Sequence, residues 1–173
     1  MAESSQSFYS TVSGISFVLL GLWWVVVQGR RSWHFDLARR RMAYVVSLHF
    51  LLPGAMSIFA LSAPDVPLVW RVSFTLSGLF GIASVLFVIA TLRAEHDCPR
   101  VVRIYQWVVL PAYVVITLLA AAPELVKTVG LSLTTLQVES LILSLILFFG
   151  VQSAWVLAIE PQRQSPDNDN ARN

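Results

Sequence analysis

The chain has 173 residues, of which 56% are hydrophobic and only 13% are charged, and its formal net charge is +2. Soluble globular domains carry charge on roughly a quarter of their residues, so this chain has too little polar surface to face water on all sides. The composition excludes an ordinary soluble domain and indicates an integral membrane protein.

Charged residues fall in short blocks that separate five long uncharged stretches. A helix that rises about 1.5 Å per residue needs roughly 20 residues to cross a hydrocarbon core of about 30 Å, and each stretch is long enough. Segments such as Phe17–Val27 also lack the polar face of a soluble helix. The sequence therefore predicts an all-α, polytopic membrane helix bundle with five transmembrane helices. Its single transmembrane domain covers residues 1–159, with spans at about 8–29, 43–63, 70–92, 104–122 and 138–159, and a disordered cytoplasmic tail covers residues 160–173.

The first span is expected to be retained as a helix. The first ten residues carry Glu3 and no Lys or Arg, whereas a cleaved signal peptide begins with a basic region. Small residues along one side of a membrane helix let a neighbouring helix approach closely. Span one has such a seam, because small or polar residues recur every four or seven positions at Ser10, Gly14, Gly21 and Gln28.

The loop after span one contains a block of arginine residues. When the loops are assigned alternately to the two sides of the membrane, ten of the twelve Lys and Arg residues fall on one face. Positive residues favour the cytoplasmic side, which predicts the N-terminus outside and the C-terminus in the cytoplasm. The block explains the net charge without nucleic acid, and we expect it to contact anionic lipid headgroups. It consists of Arg30, Arg31, Arg39, Arg40 and Arg41.

Span two contains His49 about one turn before Pro53, and Pro53 with Gly54 is expected to kink the helix. A buried His is a candidate proton-responsive group or a hydrogen-bond donor to a neighbouring helix. Haem between the helices would require a second axial ligand at matching depth, and His49 is the only His in a predicted span. We therefore expect no haem.

Spans three and four add packing features and no site. Ser73, Ser77 and Gly81 are spaced by four residues in span three, and Pro111 lies in the middle of span four.

Metal-type donors are close in sequence only in two loops on the predicted cytoplasmic face, and they lack the paired spacing of a zinc site. We expect neither a metal nor another cofactor. The donors are His34 and Asp36 in one loop, and Glu95, His96, Asp97 and Cys98 in the other.

Span five begins close to Glu139, and its starting point decides how deep this carboxyl group lies. A start near Leu133 places Glu139 about two turns inside the helix, whereas a start at Val138 places it at the outer interface. At about 100° per residue, the face that contains Glu139 lies roughly opposite Ser140 and Ser144. These two faces cannot line one narrow pathway. Tyr9 is expected in the outer aromatic belt, which supports the span boundaries.

The search of the sequence for catalytic motifs leaves two candidate functions. The sequence has no hydrolase elbow, P-loop or metalloprotease motif, so we expect no enzyme, and a membrane enzyme built on the loop donors stands last. The first function is an oligomeric channel or transporter for ions or small solutes, acting in the plasma (inner) membrane, and it is the one we expect. The alternative is a non-transporting membrane subunit, anchor or assembly factor that works through helix packing and cytoplasmic loop contacts. Either would act in the bilayer as a homo-oligomer or within a membrane complex. Transport would use intramembrane polar groups, for which the candidates are Gln28, His49, Glu139, Ser140, Ser144 and Gln152.

Overall fold

A computed structural model describes residues 3–30, 33, 35–63, 66–94, 105–124 and 135–159. Every regular element in these ranges is helical, which confirms the predicted all-α membrane helix bundle. The elements in chain order are α1 (Glu3–Gly29), α2 (Leu37–Ser62), α3 (Pro67–Ala94), a π-helix (Tyr105–Val109) that leads directly into α4 (Leu110–Ala121), and α5 (Thr135–Ile159).

Four of these helices are long and apolar enough to cross a bilayer, namely α1, α2, α3 and α5. They contain between 25 and 28 residues, and the shortest corresponds to about 37 Å. The predicted fourth span is shorter in the part of the chain that is described, because α4 has 12 residues and covers only about 18 Å. Pro111 occupies the second position of α4 and has no N–H to donate to the preceding turn, which is widened into the π-helix.

The α1, α2, α3 and α5 helices begin before the predicted spans. The α2 helix begins at Leu37 because the Asp36 side chain accepts a hydrogen bond from the backbone N–H of Arg39, with a donor–acceptor distance of 3.1 Å. As a result, Arg39, Arg40 and Arg41 lie in the first turns of α2, although the sequence predicted them in a loop.

Successive helices run in opposite directions. The Tyr9 hydroxyl donates to the Leu136 carbonyl at 3.1 Å, and the Arg30 guanidinium donates to the Ala158 carbonyl, so matching ends of α1 and α5 meet. The ring of Tyr9 also contacts the ring of Phe74 near the start of α3. We call the end of the bundle that contains these starts the Tyr9 end, and the opposite end, with Arg30 and the start of α2, the arginine end.

The α2 helix lies at the centre and contacts α1, α3 and α5. Glycine brings the helices together at three interfaces, where a β-carbon would lie 3.1 Å or less from a neighbouring side chain. Such close approach is what holds helices together in lipid, where burial of apolar surface gives little advantage. The contacts are Gly54 with Ser16 and Phe17, Gly78 with Thr117, Gly81 with Tyr113, and Gly150 with His49 and Phe50.

Candidate functional site

Glu139 lies about one turn inside α5 and is 0% exposed. The side chain of Glu139 is therefore enclosed within the bundle and does not face its outer surface. The buried face of α5 recurs every three or four residues, as the helical periodicity predicts. This face consists of Glu139, Leu143, Ile146, Gly150, Ser153 and Leu157.

Tyr9 and Glu139 form the polar part of the interior at the Tyr9 end. Tyr9 is also 0% exposed. The Tyr9 hydroxyl donates to the carbonyl of Leu136, one turn before Glu139. Neither carboxyl oxygen of Glu139 has a hydrogen-bond partner among the described residues. A buried polar group without a partner is costly in apolar surroundings, so this carboxyl group marks a candidate site.

A small cleft lies beside this pair, where α1 and α5 begin. Its volume is about 150 Å³, enough for a few water molecules or one small polar solute. Glu139 itself does not line the cleft. The cleft is lined by Ser5, Phe8, Tyr9, Leu136, Gln137 and Ser140.

His49 is the second buried candidate, at the contact of α2 with α4 and α5. Its Nδ1 atom lies 2.6 Å from the carbonyl oxygen of Val45, and a carbonyl can only accept, so Nδ1 carries the hydrogen. The imidazole ring meets the ring of Tyr113 edge to face at 5.9 Å. Pro53 has no N–H, so the His49 carbonyl receives no hydrogen bond from the residue one turn later.

His49 and Glu139 do not share a cavity. His49 packs against Gly150, which follows Glu139 by eleven residues on the same helix, a distance of about 16 Å along its axis. The other candidate polar residues are also dispersed: Ser140 lines the cleft, while Gln28, Ser144 and Gln152 lie on the outer surface. The structure therefore brings only Ser140 close to Glu139 and does not bring the six together.

Three of the predicted lipid-contacting arginines have contacts within the chain. Arg30 lies over the ring of Trp33 at 5.9 Å, Arg39 forms an ion pair with Asp36 at 3.2 Å, and Arg41 lies over the ring of Phe87 at 5.1 Å. Arg40 is exposed, and Arg31 lies outside the described residues.

The predicted metal-type donors fall largely outside the described residues, which include Asp36 but not His34 or residues 95–98. Within the described ranges, no group of three or more His, Cys, Asp or Glu residues could hold a metal ion.

Sequence reasoning missed Tyr9, which it assigned to the outer aromatic belt. The contact of Tyr9 with α5 joins residues that are 127 positions apart, and no spacing within either helix signals it.

Comparison with known proteins adds no assignment, since no family model, curated protein or solved structure matches this chain.

Proposed function

We propose that this protein is a non-transporting membrane subunit that packs laterally against a transmembrane helix of another membrane protein. The observation that carries the proposal is the seam of α1, whose four residues are all exposed. A β-carbon added at Gly14 or Gly21 would meet no atom within 4 Å. The α1 seam, defined by Ser10, Gly14, Gly21 and Gln28, thus offers a shallow groove for an incoming helix.

The glycines at the helix interfaces inside the protomer differ from those of the α1 seam, and this difference supports the subunit role. Gly54, Gly81 and Gly150 each face a side chain of a neighbouring helix at close range. The chain uses the same device on α1, but there the described residues leave the space open. Since the benefit of small residues in lipid comes from close helix packing, an open seam favours a partner outside the protomer.

A photo-crosslinking experiment tests the proposal. A benzophenone amino acid replaces Gly21 on the seam or Leu22, which is 60% exposed and is turned about 100° away from the seam on the same helix. We expect position 21, and not position 22, to form an adduct with one membrane protein, identified by mass spectrometry, which co-purifies in fixed stoichiometry. An adduct formed only with a second copy of the chain, or equal labelling at both positions, would overturn the subunit role.

An oligomeric channel or transporter for ions or small solutes is the second candidate, and the buried carboxyl group of Glu139 beside the cleft favours it. Because the six polar candidates do not converge within one protomer, the pathway would have to form between copies. Flux of K⁺, Na⁺ and protons into liposomes by purified protein tests this role. Flux abolished in Glu139→Gln and retained in Ser144→Ala would support it, and no flux in the wild type would remove it.

The remaining parts of the proposal concern location. The one-sided distribution predicted from the sequence, with ten of the twelve Lys and Arg residues on one face, supports the cytoplasmic assignment of the arginine end. We place the protein in the plasma (inner) membrane, with no catalytic activity of its own.

A further inference from the structure

Two grooves flank Tyr44 at the arginine end, and each has a volume of about 270 Å³. Arg40 and Tyr44 line both grooves, as residues four apart on one helix face can do. They form a ridge between the α1 side and the α3 side of α2. The first groove is further lined by Trp24, Val27, Trp33, Ala43 and Ser47, and the second by Arg41 and Phe87.

Arg40 supplies a positive charge that the described residues do not neutralise. Its side chain forms no hydrogen bond or ion pair with them, whereas the neighbouring Arg39 is paired with Asp36. A guanidinium group binds phosphate through two parallel hydrogen bonds, and such recognition suits an anionic partner. An exposed arginine at the mouth of two apolar grooves is complementary to an amphiphile with a charged head.

The depth of the grooves identifies the class of amphiphile. The apolar span of α2 begins at Arg39, so Arg40 lies at the membrane boundary where lipid phosphates lie. Tyr44 and Ser47 follow by one and two helical turns, about 6 and 10 Å deeper. The first groove is lined mainly by aromatic and aliphatic side chains, and the second combines the rings of Tyr44 and Phe87 with Arg40 and Arg41. Apolar surface next to positive charge suits the hydrocarbon chains of an anionic lipid better than a water-soluble phosphate ester.

We infer that the arginine end binds one diacyl anionic phospholipid, with its phosphate on Arg40 and one acyl chain in each groove beside Tyr44. This site goes beyond the proposed subunit role, because it lies on the α2 side of the bundle and does not use the α1 seam. Arg40 is common to both grooves, while Arg41 of the second groove lies over the ring of Phe87. Two grooves that meet at one shared cation match the shape of a lipid with one phosphate and two chains.

Quenching of tryptophan fluorescence tests the site, because Trp24 lines the first groove. The full chain is reconstituted in phosphatidylcholine bilayers that contain increasing fractions of phosphatidylglycerol with brominated acyl chains. Subtraction of the signal of Trp24→Phe isolates Trp24 from the other five tryptophans. We expect Trp24 to be quenched at a low fraction of the brominated phosphatidylglycerol, and brominated phosphatidylcholine to require a much higher fraction.

Two charge variants distinguish a defined lipid site from general electrostatic attraction between the protein and anionic lipids. Arg40→Gln is expected to raise the half-quenching fraction about fivefold, whereas Arg39→Gln, which removes the same charge next to it, leaves that fraction unchanged. Arg40→Lys should retain most of the binding and serves as the readout if Arg40→Gln fails to fold. Val27→Phe fills the first groove and should weaken quenching with the charge intact. Equal shifts in the Arg39 and Arg40 variants, or equal quenching by the two lipids, would overturn the site.

Discussion

Gly150 of α5 lies directly against His49 of α2, since a β-carbon at residue 150 would be 3.0 Å from the β-carbon of His49. The same β-carbon would be 3.0 Å from Cε1 of Phe50, so the space is closed on two sides. The central helix and the last helix are therefore so close that any side chain at residue 150 would force its neighbours to shift.

We expect Gly150→Leu to lower the free energy of unfolding by about 1–3 kcal/mol, because the added side chain must push α5 away from α2. Titration with sodium dodecyl sulfate in mixed micelles measures this quantity. Gly21→Leu is the matched control, because the space at Gly21 is open within the protomer. The control should change stability by less than about 0.5 kcal/mol. Similar losses in both variants would contradict the close contact.

Glu139→Leu is expected to leave the protomer as stable as the wild type or to stabilise it by up to about 2 kcal/mol. The substitution removes a buried carboxyl group that has no hydrogen-bond partner among the described residues and replaces it with an apolar side chain of similar size. Leu143→Ala, one turn later on the same buried face, should cost about 2–5 kcal/mol. A loss of more than about 1 kcal/mol in Glu139→Leu would show that the carboxyl group has an internal partner.

The helical class was predictable from the sequence because each span is a long run of residues without charge. The ends of the helices were less predictable, since local caps and prolines set them. Asp36 starts α2 well before the apolar span, and Pro111 divides the fourth span into a π-helix and a short α-helix. A hydropathy profile of the sequence shows neither effect.

The buried face of α5 was also predictable, because the helical period fixes which side chains share a side with Glu139. Whether that side faces the interior of the bundle depends on tertiary packing, which buries Glu139 completely. The hydrogen bond from Tyr9 to the Leu136 carbonyl could not be predicted at all, because it depends on how α1 and α5 are placed side by side. The separation of His49 from Glu139 depends on the same tertiary arrangement.

Asp36→Ala is expected to destabilise the start of α2 by about 1 kcal/mol, because the side chain both caps the helix and pairs with Arg39. Asp36→Asn keeps the capping oxygen and loses the ion pair, which is worth little at an exposed site. We therefore expect the Asn variant to remain within about 0.5 kcal/mol of the wild type. Unfolding in mixed micelles checks both values, and equal losses would assign the effect to the ion pair and not to the cap.

Arg71 joins α3 to the end of α4 at the Tyr9 end. Its Nε and Nη2 atoms donate to the carbonyls of Ala120 and Ala121 at 3.2 and 2.9 Å, and these carbonyls belong to the last turn, which has no intrahelical donors. We expect Arg71→Gln to lower the free energy of unfolding by about 1–2 kcal/mol, because hydrogen bonds from a charged donor are lost.

Arg71→Lys separates geometry from charge, because an ammonium group keeps the charge but lacks the planar fork that reaches two carbonyls at once. Its stability should fall between those of the wild type and Arg71→Gln. Val72→Ala, at an exposed neighbouring position, should change stability by less than about 0.5 kcal/mol. If the Lys variant is as stable as the wild type, then the charge of residue 71, and not its paired hydrogen bonds, stabilises the contact between α3 and α4.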